Sequence, residues 1–284
     1  MHGHQGTRRV LATILAGAVI ATTALFGGSA ASATPTTSPP PAVMAGLGDS
    51  ITQGLMTCSS LSTCAANSWS TGTNASVVSH AARLRAAYPA QPLTTFTNAV
   101  TGVTSSNLLA QANKAVTQGA TYVTIEIGAN DACTRTVGGM TSTAAFEANI
   151  RAGIAALTAN GAQREIFVAS IPNLLRMYDI NKGSASARLT WGLLQICQSL
   201  LANPSSTRAA DVQRRALVDQ QVKAYNAVLQ LVCSQTAKCR YDGNAIYNFP
   251  FEKSHISTRD YFHPSLSGQA VFAATTWPLT QWVS

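Results

Sequence analysis

Charge is scarce in this chain. Asp, Glu, Lys and Arg together make up 11% of its 284 residues, against roughly a quarter in an ordinary soluble domain. Its polar surface must therefore be built from Ser, Thr, Asn and Gln. The 11 acids are scattered and offer no convincing pair, which speaks against glycoside cleavage by two facing carboxylates. Lys and Arg form no cluster and no nucleic-acid motif is present, so no nucleic acid is expected as a partner. The formal net charge is +8, of which two come from Arg8 and Arg9. A mild basic excess favours anionic surfaces such as phospholipid headgroups, although a merely basic exported protein is the plainer reading. There is no C-x-x-C and no paired histidine, so a structural metal is not expected. A G-x-S-x-G elbow is missing as well, so the standard α/β-hydrolase pattern is not met. No internal repeat and no second linker divides the chain.

What is present begins with an export signal. Met1–Arg9 carries two arginines and no acid, Val10–Phe26 is apolar, and Ala31-Ser32-Ala33 fits a small-residue cleavage site. This is the pattern of a secretory signal peptide over residues 1–33; the alternative is a retained anchor, for which the apolar run is short. Residues 34–41 (TPTTSPPP) read as an extended proline-rich linker. Residues 42–284 are then long enough for one α/β domain. All six cysteines, Cys58, Cys64, Cys133, Cys197, Cys233 and Cys239, lie after the leader. An even count in an exported chain implies disulfides. Six cysteines allow fifteen connectivities; the short loops Cys58–Cys64 and Cys233–Cys239 are the natural local pairs, leaving Cys133 for Cys197.

The hydrophobic pattern alternates between strand and helix periods. Val43–Leu47 reads as a buried first strand, and Leu93–Val100, Tyr122–Ile127 and Glu165–Ile171 as three more. Between and after them, helices are expected over Ser76–Tyr88, Ser105–Gln118, a segment bearing Phe146, Ile150, Ile154 and Leu157, Thr190–Leu201, a long stretch through Val218–Val232, and a last one bearing Leu266, Ala270, Ala274 and Trp277. Strands alternating with helices imply a parallel sheet covered on both faces, with ligands bound outside the carboxyl ends of the strands.

Each chemically suggestive motif starts where an expected strand stops. Gly48-Asp49-Ser50 follows the first, and a serine there can sit at a helix N-terminus with its Oγ at the sheet's carboxyl edge. Asn98 and Gly102 follow the second, and Gly128-Ala129-Asn130-Asp131 the third. Ester hydrolysis places negative charge on the former carbonyl oxygen and needs donors fixed beforehand; a glycine N–H and an asparagine amide are such donors. Singly, each motif is as well explained by turn chemistry. Near the end, Asp260 precedes His263 by three residues, close enough to hold its Nδ1–H and leave Nε2 as base. Three histidines follow the leader. His80 falls beside apolar helix positions, and His255, with Glu252 three residues before it, lacks the following Pro and helix. His263 is therefore the expected base.

The ordered set Gly48-Asp49-Ser50, Gly102, Asn130 and Asp260-x-x-His263 resembles the SGNH hydrolase superfamily, also called GDSL lipases or esterases, over nearly the whole of residues 43 to the last helix. The resemblance implies a flavodoxin-like three-layer α/β/α sandwich with a mostly parallel sheet. It implies Ser50 as nucleophile and first oxyanion N–H, Gly102 as the second N–H, Asn130 as the amide donor, His263 as base and Asp260 as its orienting acid. The first block here reads Gly-Asp-Ser-Ile rather than Gly-Asp-Ser-Leu. Some secreted actinobacterial relatives are similar in having three disulfides but use a backbone carbonyl in place of the acid; Asp260 favours a full triad here.

The expected reaction is acyl transfer to water through an acyl-Ser50 intermediate, without metal or cofactor, by a secreted monomer. The relatives it most resembles are lipases, phospholipases and broad carboxylesterases, so ester or lipid substrates and transient contact with lipid surfaces are expected. Leu174, Leu175, Met177, Trp191 and Leu193, between Pro172 and Val212, are candidates for an acyl-binding wall or for ordinary core. Two other functions remain open: a carbohydrate O-acetyl esterase, and a secreted binding protein on an idle hydrolase scaffold.

Overall fold

Five short parallel strands order the molecule. The computed structural model describes residues 38–283; the stretch read as a signal peptide and the start of the expected linker lie outside them. β1 (Val43–Gly48), β2 (Thr94–Thr97), β3 (Tyr122–Glu126), β4 (Glu165–Val168) and β5 (Cys239–Tyr241) form one sheet in the order β2-β1-β3-β4-β5. Every neighbouring pair is parallel. β1, β3 and β4 are buried almost throughout, as expected of parallel strands covered on both faces, although Thr124, Glu126 and Glu165 interrupt the apolar pattern of β3 and β4. The order is that of the flavodoxin-like doubly wound sheet, whose chain reverses direction of growth between β1 and β3.

Helices cover both faces. α2 (Leu108–Thr117), α4 (Thr143–Thr158) and α8 (Ala209–Ser234) pack in a row. Leu108 of α2 nestles where Gly153 of α4 has no side chain: a Cβ there would stand 2.6 Å from Leu108 Cγ. α1 (His80–Ala87) and α10 (Leu266–Thr276) pair elsewhere through His80 and Thr276. The shorter α3 (Ala129–Ala132), α5 (Leu174–Asn181), α6 (Ala185–Leu193), α7 (Gln198–Leu201) and α9 (Ala245–Asn248) lie in the connections.

Several boundaries differ from the sequence reading. α1 starts at His80 rather than near Ser76: Val78 has φ +49°, and Ser79 caps the helix by accepting from Ala82 N–H. The helix expected over Thr190–Leu201 is broken into α6 and α7, with Gln195 and Cys197 in left-handed conformation between them. β5 was not anticipated. The three disulfides join Cys58–Cys64, Cys133–Cys197 and Cys233–Cys239. The last ties the end of α8 to the start of β5, and Cys133–Cys197 holds the chain after α3 against the break between α6 and α7. Ser38–Pro41 lies against the domain, where Ser38 Oγ donates to Glu165 and Pro41 is buried. No helix among the described residues is long and apolar enough to cross a membrane.

Candidate active site

The site is assembled at the carboxyl edge, beginning with the turn that leaves β1. Gly48 has φ +138°, and a Cβ on it would lie 1.9 Å from the carbonyl oxygen of Glu126 on β3. Only glycine passes this point. The chain then coils without forming a regular helix: Gln53 N–H bonds to Asp49 O and Leu55 N–H to Ser50 O. The helix N-terminus expected at Ser50 is therefore a hydrogen-bonded turn. Its conformation is held from two sides by buried glutamines. Gln111 of α2 accepts from Gly48 N–H and donates to Gly48 O. Gln269 of α10 donates to Ile51 O and accepts from Trp69 N–H. Neither was singled out from sequence, where a glutamine on a helix looks like a surface residue.

Ser50 is buried, and its Oγ lies 2.8 Å from Nε2 of His263. His263 Nδ1 bonds Asp260 Oδ2. The other carboxylate oxygen, Oδ1, accepts the backbone N–H groups of Phe262 and His263 at 3.0 and 3.1 Å. These bonds fold the Asp260–His263 loop on itself, with Tyr261 at φ +56°. The loop is anchored in turn by Ser257 N–H to His263 O and by a bridge between Ile256 and Pro264. A carboxylate on Nδ1 places the ring proton there and leaves Nε2 as the acceptor facing the Ser50 hydroxyl.

The donor side comes from two neighbouring loops. Gly102 has φ +80° with open space where a side chain would project. Its N–H and that of Ser50 have no partner among the described residues. Asn130, on α3 just beyond β3, donates one amide hydrogen to Val103 O at 2.9 Å, which leaves its second amide hydrogen for another acceptor. The next residue locks the same pair of loops: buried Asp131 accepts Ser105 N–H at 2.8 Å and Ser105 Oγ–H at 2.7 Å. Adjacent residues of α3 thus grip the chain just after Gly102. Asn98, by contrast, turns away and exchanges hydrogen bonds with Gln118.

The remaining histidines are occupied elsewhere. His80 is fully buried, and burial pushes its pKa down to about 3. Thr276 Oγ1 donates to Phe272 O, so it accepts from His80 Nε2–H, and His80 Nδ1 accepts from Tyr122 O–H at 3.0 Å. This is a neutral structural imidazole. His255 Nδ1 accepts from Glu252 N–H in a local capping box.

Two buried carboxyls lie beneath the site. Asp49 is raised to about 6, chiefly by burial; its Oδ1 accepts Ile51 N–H, while Oδ2 has no partner. Glu126, in register with Gly48, has neither oxygen bonded and is raised well above the usual range by burial and by Asp49. The residues considered for an acyl wall divide: Leu174, Met177 and Trp191 are core, Leu175 is half-buried and Leu193 is exposed.

The model of the GDSL-like Lipase/Acylhydrolase family matches residues 47–271. Among solved structures, an alpha/beta hydrolase enzyme from the metagenome of Lake Arreo, Spain, is 16% identical, covering 86% of this chain and 96% of its own, with a TM-score of 0.53. The extracellular lipase of Streptomyces rimosus is 17% identical, with 84% and 99% covered and a TM-score of 0.48. An acetyl xylan esterase from Geobacillus stearothermophilus is 16% identical, with 81% and 90% covered and a TM-score of 0.48. No curated protein matches. With a parallel 2-1-3-4-5 sheet and a family match spanning both the Gly48-Asp49-Ser50 turn and His263, the chain belongs to the GDSL-like lipase/acylhydrolase family of ester hydrolases.

Proposed function

We propose that this chain is a secreted serine hydrolase of carboxylic esters, with Ser50 as nucleophile, His263 as general base and acid, and Asp260 as the residue that orients the imidazole. The observation that carries the reading is the 2.8 Å contact between Ser50 Oγ and His263 Nε2. In the first half-reaction Ser50 Oγ attacks the ester carbonyl carbon and its proton passes to Nε2. The negative charge on the former carbonyl oxygen is met by the free N–H groups of Ser50 and Gly102 and by the second amide hydrogen of Asn130. Collapse expels the alcohol, which takes the proton from Nε2, and leaves an acyl-Ser50 ester. Water then attacks that ester, gives its proton to Nε2, and the acid departs as Ser50 regains its hydrogen.

Secretion is supported by the leader-like residues 1–33 and by three disulfides, which persist in oxidising compartments. Lipid esters, phospholipid acyl chains included, are the proposed substrates. The support is the family and the leucines that α6 turns outward, Leu189 at 63% and Leu193 at 72% exposure. Rates on p-nitrophenyl esters from acetate to palmitate test the substrate: the reading expects medium or long acyl chains to be preferred, and activity confined to acetate would replace it with deacetylation.

A further inference from the structure

A cavity of about 600 Å³ opens between α5, the residues after it and the start of α8. It contains none of Ser50, Gly102, Asn130 or His263. It nevertheless lies toward the same edge of the sheet. α8 runs antiparallel to the strands, and Asn226 of α8 bonds the backbone of Ile171, just past β4. Arg215 precedes Asn226 by 11 residues on the same helix, about 16 Å along its axis at 1.5 Å per residue.

The cavity joins two chemistries. Leu175, Val212 and the ring of Tyr178 give it an apolar wall. Arg215, Lys182 and Arg188 give it positive charge, against the single carboxylate of Asp179, which is bonded to Lys182. Arg215 is the unusual member. It is 6% exposed, yet no carboxylate pairs with it among the described residues. Its guanidinium lies over the Tyr178 ring at 4.9 Å, Nη2 donates to Ser206 O at 2.7 Å, and Nη1 has no hydrogen-bond partner. Lys182 Nζ stands 5.4 Å from the same ring. A buried guanidinium without a counter-charge is costly. Two cations on one aromatic ring repel each other. An anion beside Arg215 relieves the first penalty, and a guanidinium fork suits the oxygens of a carboxylate or phosphate. The volume is in the range of ligand pockets and far exceeds what an inorganic oxyanion fills, so the apolar wall is left for an alkyl chain.

We propose that this cavity is a second binding site, which takes the oxyanion head of an anionic amphiphile on Arg215, Lys182 and Arg188 and lays its alkyl chain along Leu175, Tyr178 and Val212. Both fatty carboxylates and phospholipid phosphates offer this chemistry. The site requires binding, not turnover, so its failure leaves the ester-hydrolase reading standing, and the reverse.

The test is titration calorimetry of the full protein, after fluorophosphonate treatment, with monomeric decyl phosphate, decanoate, decanol and inorganic phosphate. Decyl phosphate and decanoate are expected to bind, with decanol and inorganic phosphate each at least tenfold weaker. Tighter binding of decanoate identifies the free fatty acid as the source, and tighter binding of decyl phosphate the phospholipid head; either supports the site. The double variant Lys182→Met, Arg188→Met, whose fold is checked by its melting curve, is expected to weaken both by at least tenfold. Arg215→Gln should do the same, and the surface pair keeps the test valid if that variant does not fold. Equal affinity for decanol or for inorganic phosphate overturns the proposal. So does unchanged affinity in the double variant.

Discussion

His263 Nε2 stands 2.8 Å from Ser50 Oγ although 213 positions separate them in the chain. The contact depends on two loops that are each fixed independently. Gln111 and Gln269 hold the turn bearing Ser50, while Asp260 Oδ1 and the Ile256–Pro264 bridge hold the loop bearing His263. Neither side chain has to move to share a proton, which is the preorganisation that makes general-base catalysis effective.

Asp260 tests the orienting role. Its Oδ1 bonds to backbone N–H groups are retained by Asp260→Asn, while Oδ2 or its replacement no longer fixes the Nδ1 proton. The variant should fold with an unchanged melting temperature and lose about 10³–10⁴ in kcat. A loss under tenfold would mean that another group orients the imidazole.

Asn130 tests the oxyanion donors. Asn130→Ala removes the amide that reaches Val103 O and, in the proposed mechanism, the developing charge. The expected loss is about 10²–10³ in kcat with KM little changed. A rise in KM at constant kcat would make Asn130 a substrate-binding residue instead.

Asp49 makes stability depend on pH. Burial raises it from 3.8 to about 6, so between those values the folded chain retains a proton that the unfolded chain has released. Its contribution to stability is present below about pH 4 and is lost as pH rises to about 6. Asp49→Asn keeps an acceptor for Ile51 N–H and removes the buried charge. The variant should melt higher than the parent at about pH 7.5, with the gain shrinking toward about pH 4.5. Thermal melts at the two pH values check this; a gain that does not change with pH contradicts it.

The disulfides should differ in worth. Cys133–Cys197 spans 64 positions and Cys58–Cys64 spans six. On chain entropy, removing the first by paired Ser substitutions should cost about 4 kcal/mol and removing the second about 2 kcal/mol. Denaturant unfolding of the two double variants ranks them; equal losses would mean that the closed loop is not what counts.

Much of this was legible because the relevant signals are local. β1 is an apolar run ending at a glycine, the β3 and β4 segments are strand-like and stop at Gly128 and Pro172, and Ser50, Gly102 and Asn130 lie past strand ends. His263 could be singled out because only two other histidines follow residue 33. What was missed depends on tertiary context. β5 is three residues, Cys-Arg-Tyr, at the sheet edge, too short and too exposed to carry a pattern. α5 lies just after Pro172, in a stretch for which no helix was expected before Thr190. The break at Gln195 and Cys197 carries neither Gly nor Pro; it occurs where Cys197 is bonded to Cys133. Gln111 and Gln269 clamp the turn bearing Ser50 only once α2 and α10 have packed, and Asp131 grips Ser105 only once two strand ends are neighbours.

Covalent labelling tests the central claim most directly. A fluorophosphonate reagent, followed by peptide mass spectrometry, should add one group per chain, on the peptide containing Ser50, and Ser50→Ala and His263→Ala proteins should remain unlabelled. Labelling that persists in Ser50→Ala, or an adduct on another residue, would contradict the assignment of Ser50 as the nucleophile.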